Sequence, residues 1–278
     1  MIKLHLGCGM NILDGWINTD SKTSENRMKI DGIDIKSTDF VDTENPYLEL
    51  GNMIKWLSLD HEFIQHNTAN FDHDYEIKDD IIKRAVDLPL NSGIIDSGAH
   101  TGDGSFPIAH ALAKLGREDI IIYAIEPFAY KCEFMKMVLE QNDIVNIRII
   151  NVGLSDIETI YGPDKTKEVP PGSWDTNSGG TCWSSGIDSE KSLKFTTIDN
   201  LVKSGQIEHQ IKMIQLDVQF MEAPALRGGA NLLEKNSPYL SLEDNWRSSN
   251  PNIYLDSVPS GYEFKKYLNR NVVYERML

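Results

Sequence analysis

From about residue 90 onward, short apolar runs alternate with segments whose apolar residues recur every three or four positions. This is the pattern of buried strands alternating with amphipathic helices. The run GIIDSGAHTGD begins as a buried strand and ends in a glycine-rich turn, and Phe106 to Leu115 follows as a helix of Ala and Leu. DIIIYAIEP is continuously apolar, as expected of a parallel strand covered on both faces, and a helix from Phe128 to Gln141 and a strand NIRIINV come next. After a polar stretch from Gly153 to Thr196, rich in Gly, Pro and Ser, alternation resumes with a helix TTIDNLVKS and a strand IKMIQLDV. A single helix MEAPALRGGANLL and a strand SPYLSLED complete it. The stretch 153–196 reads as a long loop or hairpin insertion. The expected fold class is α/β, a doubly wound, mainly parallel sheet with helices on both faces.

Before residue 90 the chain is polar and rich in Asp and Asn. One helical signal stands out, Glu76 to Val86, where Ile77, Ile81, Ile82 and Ala85 share a face. The expected division is an N-terminal extension over residues 1–89 and a catalytic domain over residues 90–278. A chain of 278 residues has room for one large domain with such an extension.

Composition narrows the function. No apolar run approaches the ~20 residues of a membrane span, and the opening MIKLHLGCGM lacks the long apolar stretch of a secretory signal. Cys8, Cys132 and Cys182 stand in unrelated contexts, without a disulfide framework or zinc spacing. A cytoplasmic protein is expected. The net charge of −15 repels nucleic-acid backbones and membrane surfaces, and the first 90 residues hold 17 acidic against 9 basic side chains. A small-molecule or glycan partner fits better than nucleic acid or membrane, and the oligomeric state is left open.

The candidate cofactor residues cluster in the first strand–turn–helix. Asp96, Gly98, Gly102 and Gly104 shape a turn in which the missing Cβ atoms let a ligand lie against the backbone. Glu126 closes the next strand, where an acid accepts hydrogen bonds from both ribose hydroxyls of a nucleoside. The spacing is neither GxGxxG nor GxxxxGK[ST], so a pyrophosphate or triphosphate has no cradle and a nucleoside without phosphates is favoured. Taken singly, Asp96 reads equally as a helix cap and Glu126 as a solvated strand end.

The segments IIDSGAHTGDGS, YAIEP, NVGLSD, TNSGG, TTIDNL and IQLDVQFMEAPALRGGANLL, in this order between residues 90 and 245, resemble the FkbM-type methyltransferase family. The resemblance implies a Rossmann-like methyltransferase fold that uses S-adenosylmethionine to methylate hydroxyl groups, commonly on sugars, glycans or polyketides. It implies that Asp96 and Gly98 begin the cofactor loop, with His100 and Gly102 in it, that Glu126 meets the ribose, and that the Gly153–Asp156 turn borders the adenine. The chain departs from the family where DVEGAE is usual: it reads DVQFME, with Gln219 and Phe220 in place of an acid and a glycine.

The ends of the fourth and fifth strands should face the same crevice. Asp217, first, then Glu222, Glu243 and Asp244 are therefore the acidic candidates for deprotonating an acceptor hydroxyl. The same acids are oxygen ligands for a divalent cation such as Mg²⁺, and helix capping is the structural alternative for Asp217. His61, His66 and His73 lack metal-site spacing. Trp174 and Trp183 flank the insertion, as a stacking wall for a sugar or as pins holding the loop to the core. LHLGCGMNILDGWINTD at residues 4–20 resembles the opening of another class I methyltransferase group. With only about 70 residues before the second motif, it is expected to be an accessory fragment and not a second cofactor site. Two other functions compete: a catalytically silent interaction module of the same fold, and a nucleotide-sugar or NAD-linked enzyme, which the absent pyrophosphate fingerprint disfavours.

Overall fold

The computed structural model describes residues 75–141, 144–163, 183–185, 192–244 and 250–277, together with four short strands nearer the N-terminus. These are β1 (Leu4–Leu6), β2 (Ile17–Thr19), β3 (Arg27–Ile30) and β4 (Ile33–Lys36). β1 and β2 pair in parallel, and β3 and β4 form an antiparallel hairpin. The glycines of the LGCG segment, Trp174 and the three leading histidines lie outside the described residues.

The main sheet is built from β5 (Ser92–Ser97), β6 (Ile121–Ile125), β7 (Ile147–Ile150), β12 (Gln210–Leu216), β13 (Tyr239–Glu243), β14 (Tyr262–Leu268) and β15 (Asn271–Arg276). Its order is β14-β15-β13-β12-β5-β6-β7. The five strands from β13 to β7 are parallel, and β15 runs antiparallel to both neighbours. The chain thus winds outward from β5 through β6 to β7, then returns to β12 on the other side. That reversal between β5 and β12 opens a crevice at the carboxyl ends of the strands. The C-terminal hairpin, which inserts β15 between β14 and β13, has no counterpart in the expected alternation.

Every residue of β5 and β6 is buried, as continuous apolar runs require when both faces are covered. Ile94 and Ile95 point to opposite faces and join different cores. One core is covered by α1 (Tyr75–Ala85), α2 (Ser105–Lys114) and α3 (Ala129–Gln141). α4 (Ile198–Lys203), α5 (Glu222–Arg227) and α6 (Ala230–Asn236) cover the other. In α1 the expected face holds: Ile77, Ile81 and Ala85 are buried in the first core and Ile82 packs on it. Asp80 accepts from the Tyr239 hydroxyl and the Lys266 ammonium and pairs with Arg84. It thereby joins this helix, which precedes residue 90, to β13 and β14.

Two expectations need correction. The segment MEAPALRGGANLL is not one helix but α5 and α6, broken at Gly228 and Gly229. A Cβ on Gly228 would stand 2.1 Å from the Ser155 carbonyl oxygen, so the break brings two backbones together where no side chain fits. The described part of residues 153–196 is not a long loop, and it is more than a single hairpin. β8 (Gly153–Leu154), β9 (Thr159–Pro163), β10 (Trp183–Ser185) and β11 (Leu193–Thr196) form a small sheet of order β10-β9-β11-β8. Its aromatic residues supply the packing that its polar composition hides: Trp183 lies 5.3 Å from Phe195 and 5.6 Å from Phe128, and Tyr161 lies 4.8 Å from Phe195. The buried Trp183 pins this sheet. Among the described residues, no helix is long and apolar enough to cross a membrane.

Candidate active site

The crevice floor is backbone. Gly98 follows β5 at φ +81°, and a Cβ there would lie 1.8 Å from the Asp217 carbonyl oxygen. Only glycine adopts this left-handed turn while the end of β12 passes so close. The N–H groups of Gly98 and Ala99 both donate to the Ile125 carbonyl, at 3.0 and 3.2 Å, and a Cβ on Gly102 would meet the Phe106 ring at 2.2 Å. Asp96 is buried beneath the turn and accepts from Ser105 Oγ at 2.5 Å. It thus anchors the start of α2.

Glu126, just past β6, is 3% exposed. Its Oε2 accepts from the His100 N–H and its Oε1 from the Phe128 N–H, each at 3.0 Å. Its own carbonyl accepts from Asn151 Nδ2 at 3.0 Å. Burial pushes the Glu126 carboxyl up, against the opposing charge of Lys131 and the two N–H donors. His100 has left-handed backbone at φ +52° and a half-buried ring. Burial and the nearby Lys131 hold that ring well below the usual imidazole range, so it is neutral at pH 7.

Across the crevice, Asp217 N–H donates to the Ser97 carbonyl at 3.0 Å, which fixes the end of β12 beside the glycine turn. Gln219 Nε2 donates to Asp217 Oδ1 at 2.8 Å and to Glu243 Oε2 at 3.3 Å, so one amide joins the two acids. Burial first, then the like charge of Glu243 and its hydrogen bond, raise the Asp217 carboxyl well above the usual range. Gln219 and Phe220 both have positive φ, +51° and +72°, a conformation that costs a bulky residue of order 1–3 kcal/mol. The hydrogen bonds of the Gln219 amide to the two acids help offset that cost.

The sequence pattern of the methyltransferase FkbM domain matches residues 96–269, more than half of the chain and starting at Asp96. This protein belongs to that family. Among solved structures it is similar to the methyltransferase FkbM from Methylobacillus flagellatus KT, at 17% identity and a TM-score of 0.44, over 69% of this chain and 46% of that one. The chain thus spans about half the length of that protein. It is also similar to a methyltransferase from Geobacter sulfurreducens, at 12% identity and a TM-score of 0.42, over 86% of this chain and 100% of that one. A third is a SAM-dependent methyltransferase from Aquifex aeolicus, at 11% identity and 0.39, over 81% and 98%. No curated protein matches the sequence.

Within this FkbM-domain chain, the nominated residues divide into three groups. Asp96, Gly98, His100, Gly102 and Glu126 form one connected turn, and Asp217 and Glu243 meet through Gln219. Glu222 and Asp156 are engaged elsewhere. Glu222 is 1% exposed and its Oε1 accepts from the Val218 N–H at 3.0 Å, closing the turn that leads into α5. Asp156 is held by Arg227 Nη2 at 2.8 Å and Nε at 3.1 Å. Asp244 donates its N–H to the Arg270 carbonyl at 2.8 Å. Gln219 escaped nomination because an amide in place of an acid reads as a loss, and its double hydrogen bond needs the fold to exist. Among the described residues, no group of three or more His, Cys, Asp or Glu side chains is arranged to hold a metal ion. The Gln219 N–H groups also point at the carboxylates that such an ion would need, so this donor set does not fit a divalent cation.

Proposed function

We propose that this chain transfers a methyl group from S-adenosylmethionine to a hydroxyl of a sugar, glycan or related small molecule. One observation carries the reading: at the switch between β5 and β12, a backbone cradle that tolerates no side chain lies between a buried strand-end acid, Glu126, and an acid pair made of the half-buried Asp217 and the buried Glu243. When bound, S-adenosylmethionine supplies a methyl group on a positively charged sulfur. The cofactor fits the residues present. Each Glu126 oxygen already accepts one N–H and retains a lone pair for one of two neighbouring ribose hydroxyls. Gly98 and Gly102 keep the cradle open, and Phe128, whose N–H meets Glu126, packs its ring on the apolar cluster of Trp183, Phe195 and Met221.

Asp217 is the group that takes the acceptor's proton. A hydroxyl is a poor nucleophile until deprotonated, and a carboxylate whose pKa is raised binds a proton more tightly than an ordinary one does. Gln219 holds Asp217 and Glu243 in fixed orientation, so that an acceptor oxygen in line with the methyl carbon at ~3–3.5 Å meets a base already placed.

The test is calorimetry with S-adenosylhomocysteine, followed by a methyl-transfer screen over sugars and glycans. One molecule should bind per chain, and Glu126→Ala should weaken it by about 10- to 150-fold, the loss of a charge-assisted hydrogen bond of ~1.5–3 kcal/mol. NAD raising the thermal midpoint in place of S-adenosylhomocysteine would return the NAD-linked reading. Cofactor binding without turnover on any acceptor would favour the silent interaction module.

A further inference from the structure

Lys131, in the first turn of α3, is 1% exposed. Lysine is almost never buried to that degree without a partner for its charge. Its Nζ lies 4.9 Å from the centre of the Phe128 ring, and the Phe128 N–H is one of the two donors on Glu126. The other donor is the N–H of His100, whose ring also feels the Lys131 charge. The ammonium therefore lies against a residue that holds the Glu126 carboxylate, and its charge acts on that carboxylate.

Burial drives a carboxyl toward its neutral form. A protonated Glu126 would carry a hydrogen on one oxygen and lose an acceptor site, leaving too few to satisfy two N–H groups and two hydroxyls. Among the described residues, the titratable groups acting on it come from two elements. From α3 come Lys131 and Cys132, whose thiol is pushed up to about 12 by burial and is neutral. From the glycine turn come Asp103, of the wrong sign, and the neutral His100. Among the described residues, Lys131 is thus the cationic side chain that favours the charged form.

We propose that Lys131 is a positioning residue of the cofactor site, whose buried ammonium keeps Glu126 ionised so that both its oxygens accept ribose hydroxyls. This rests on the methyltransferase reading above. It is tested by calorimetry of S-adenosylhomocysteine binding from mildly acidic to mildly alkaline pH, on the wild type, Lys131→Met and Lys131→Arg. Lys131→Met should bind measurably more weakly at neutral pH, since burial no longer opposed by the ammonium drives Glu126 toward its neutral form. It should regain affinity as rising pH ionises Glu126, while Lys131→Arg keeps the wild-type profile. A loss in Lys131→Met that is equal at every pH, which is what packing on Phe128 alone predicts, overturns the proposal, as does no loss. Wild type that fails to bind is a failure of the methyltransferase reading instead. In that case carbon-13 NMR of the Glu126 carboxyl in ligand-free protein decides: a higher titration midpoint in Lys131→Met supports the role of Lys131, and an unchanged one removes it.

Discussion

The two walls of the crevice are made of different material. On the β5–β6 side most donors are main-chain N–H groups: those of Gly98 and Ala99 meet the Ile125 carbonyl and those of His100 and Phe128 meet the Glu126 carboxylate, with the Ser105–Asp96 bond beneath them joining side chains. On the β12–β13 side the decisive contacts join side chains, Gln219 to Asp217 and to Glu243. Backbone geometry is set by local conformation and changes little when a side chain is exchanged, provided that glycine stays where φ is positive. A side-chain cluster depends on every member. The first wall suits an invariant nucleoside, whereas the second suits adjustment to an acceptor, and the unusual Gln219 and Phe220 lie in the second.

The largest expected effect is on the backbone wall. Gly98→Ala introduces a Cβ at 1.8 Å from the Asp217 carbonyl in a left-handed residue. Left-handed conformation alone costs of order 1–3 kcal/mol and the overlap adds to it. A thermal midpoint several degrees lower and no detectable S-adenosylhomocysteine binding are expected. Wild-type affinity in a stable variant would break the claim that this wall tolerates no side chain.

Next comes Asp217→Asn, which should retain cofactor binding yet slow methyl transfer by ~10²-fold or more. Wild-type turnover with acceptor saturating would leave Asp217 with the structural role of a strand-end acid. Chelators should leave wild-type turnover unchanged. The same variant carries a stability signature with a definite sign. The folded-state pKa of Asp217 lies well above its unfolded value of about 3.8, so its full contribution is present below that value and is lost as pH rises toward the folded pKa. The thermal midpoint of Asp217→Asn should gain on the wild type as pH increases through that window. A constant gap across it would mean that the acid titrates normally.

The smallest effect is expected at Asp156. The structure ties its carboxylate to Arg227 in a pair about a third to a half exposed, and such pairs contribute little in water. Asp156→Ala should change S-adenosylhomocysteine affinity by less than ~2-fold, as read by calorimetry, because an exposed pair is worth only ~0.2–1 kcal/mol even to the fold. A large loss would mean that the carboxylate leaves Arg227 for the ligand and would extend the cofactor wall to β8.

The sequence by itself determined the alternation of the main-sheet strands from β5 to β13 with helices, the glycine turn and the acid that ends β6. All three depend on local causes: apolar periodicity, the absence of a Cβ, and the end of an apolar run. It was silent where distant segments meet. The hairpin that inserts β15 beside β13 depends on sheet pairing, and the break at Gly228 depends on the Ser155 carbonyl passing overhead. The small sheet over residues 153–196 depends on aromatic contacts between strands far apart in the chain. Among the nominated acids, only tertiary structure distinguished Asp217 and Glu243, drawn together by Gln219, from Glu222 and Asp156, which bind the Val218 N–H and Arg227. An acidic residue at a strand end looks the same in sequence whichever partner it finds, because that partner is chosen by packing across the crevice and not by spacing along the chain.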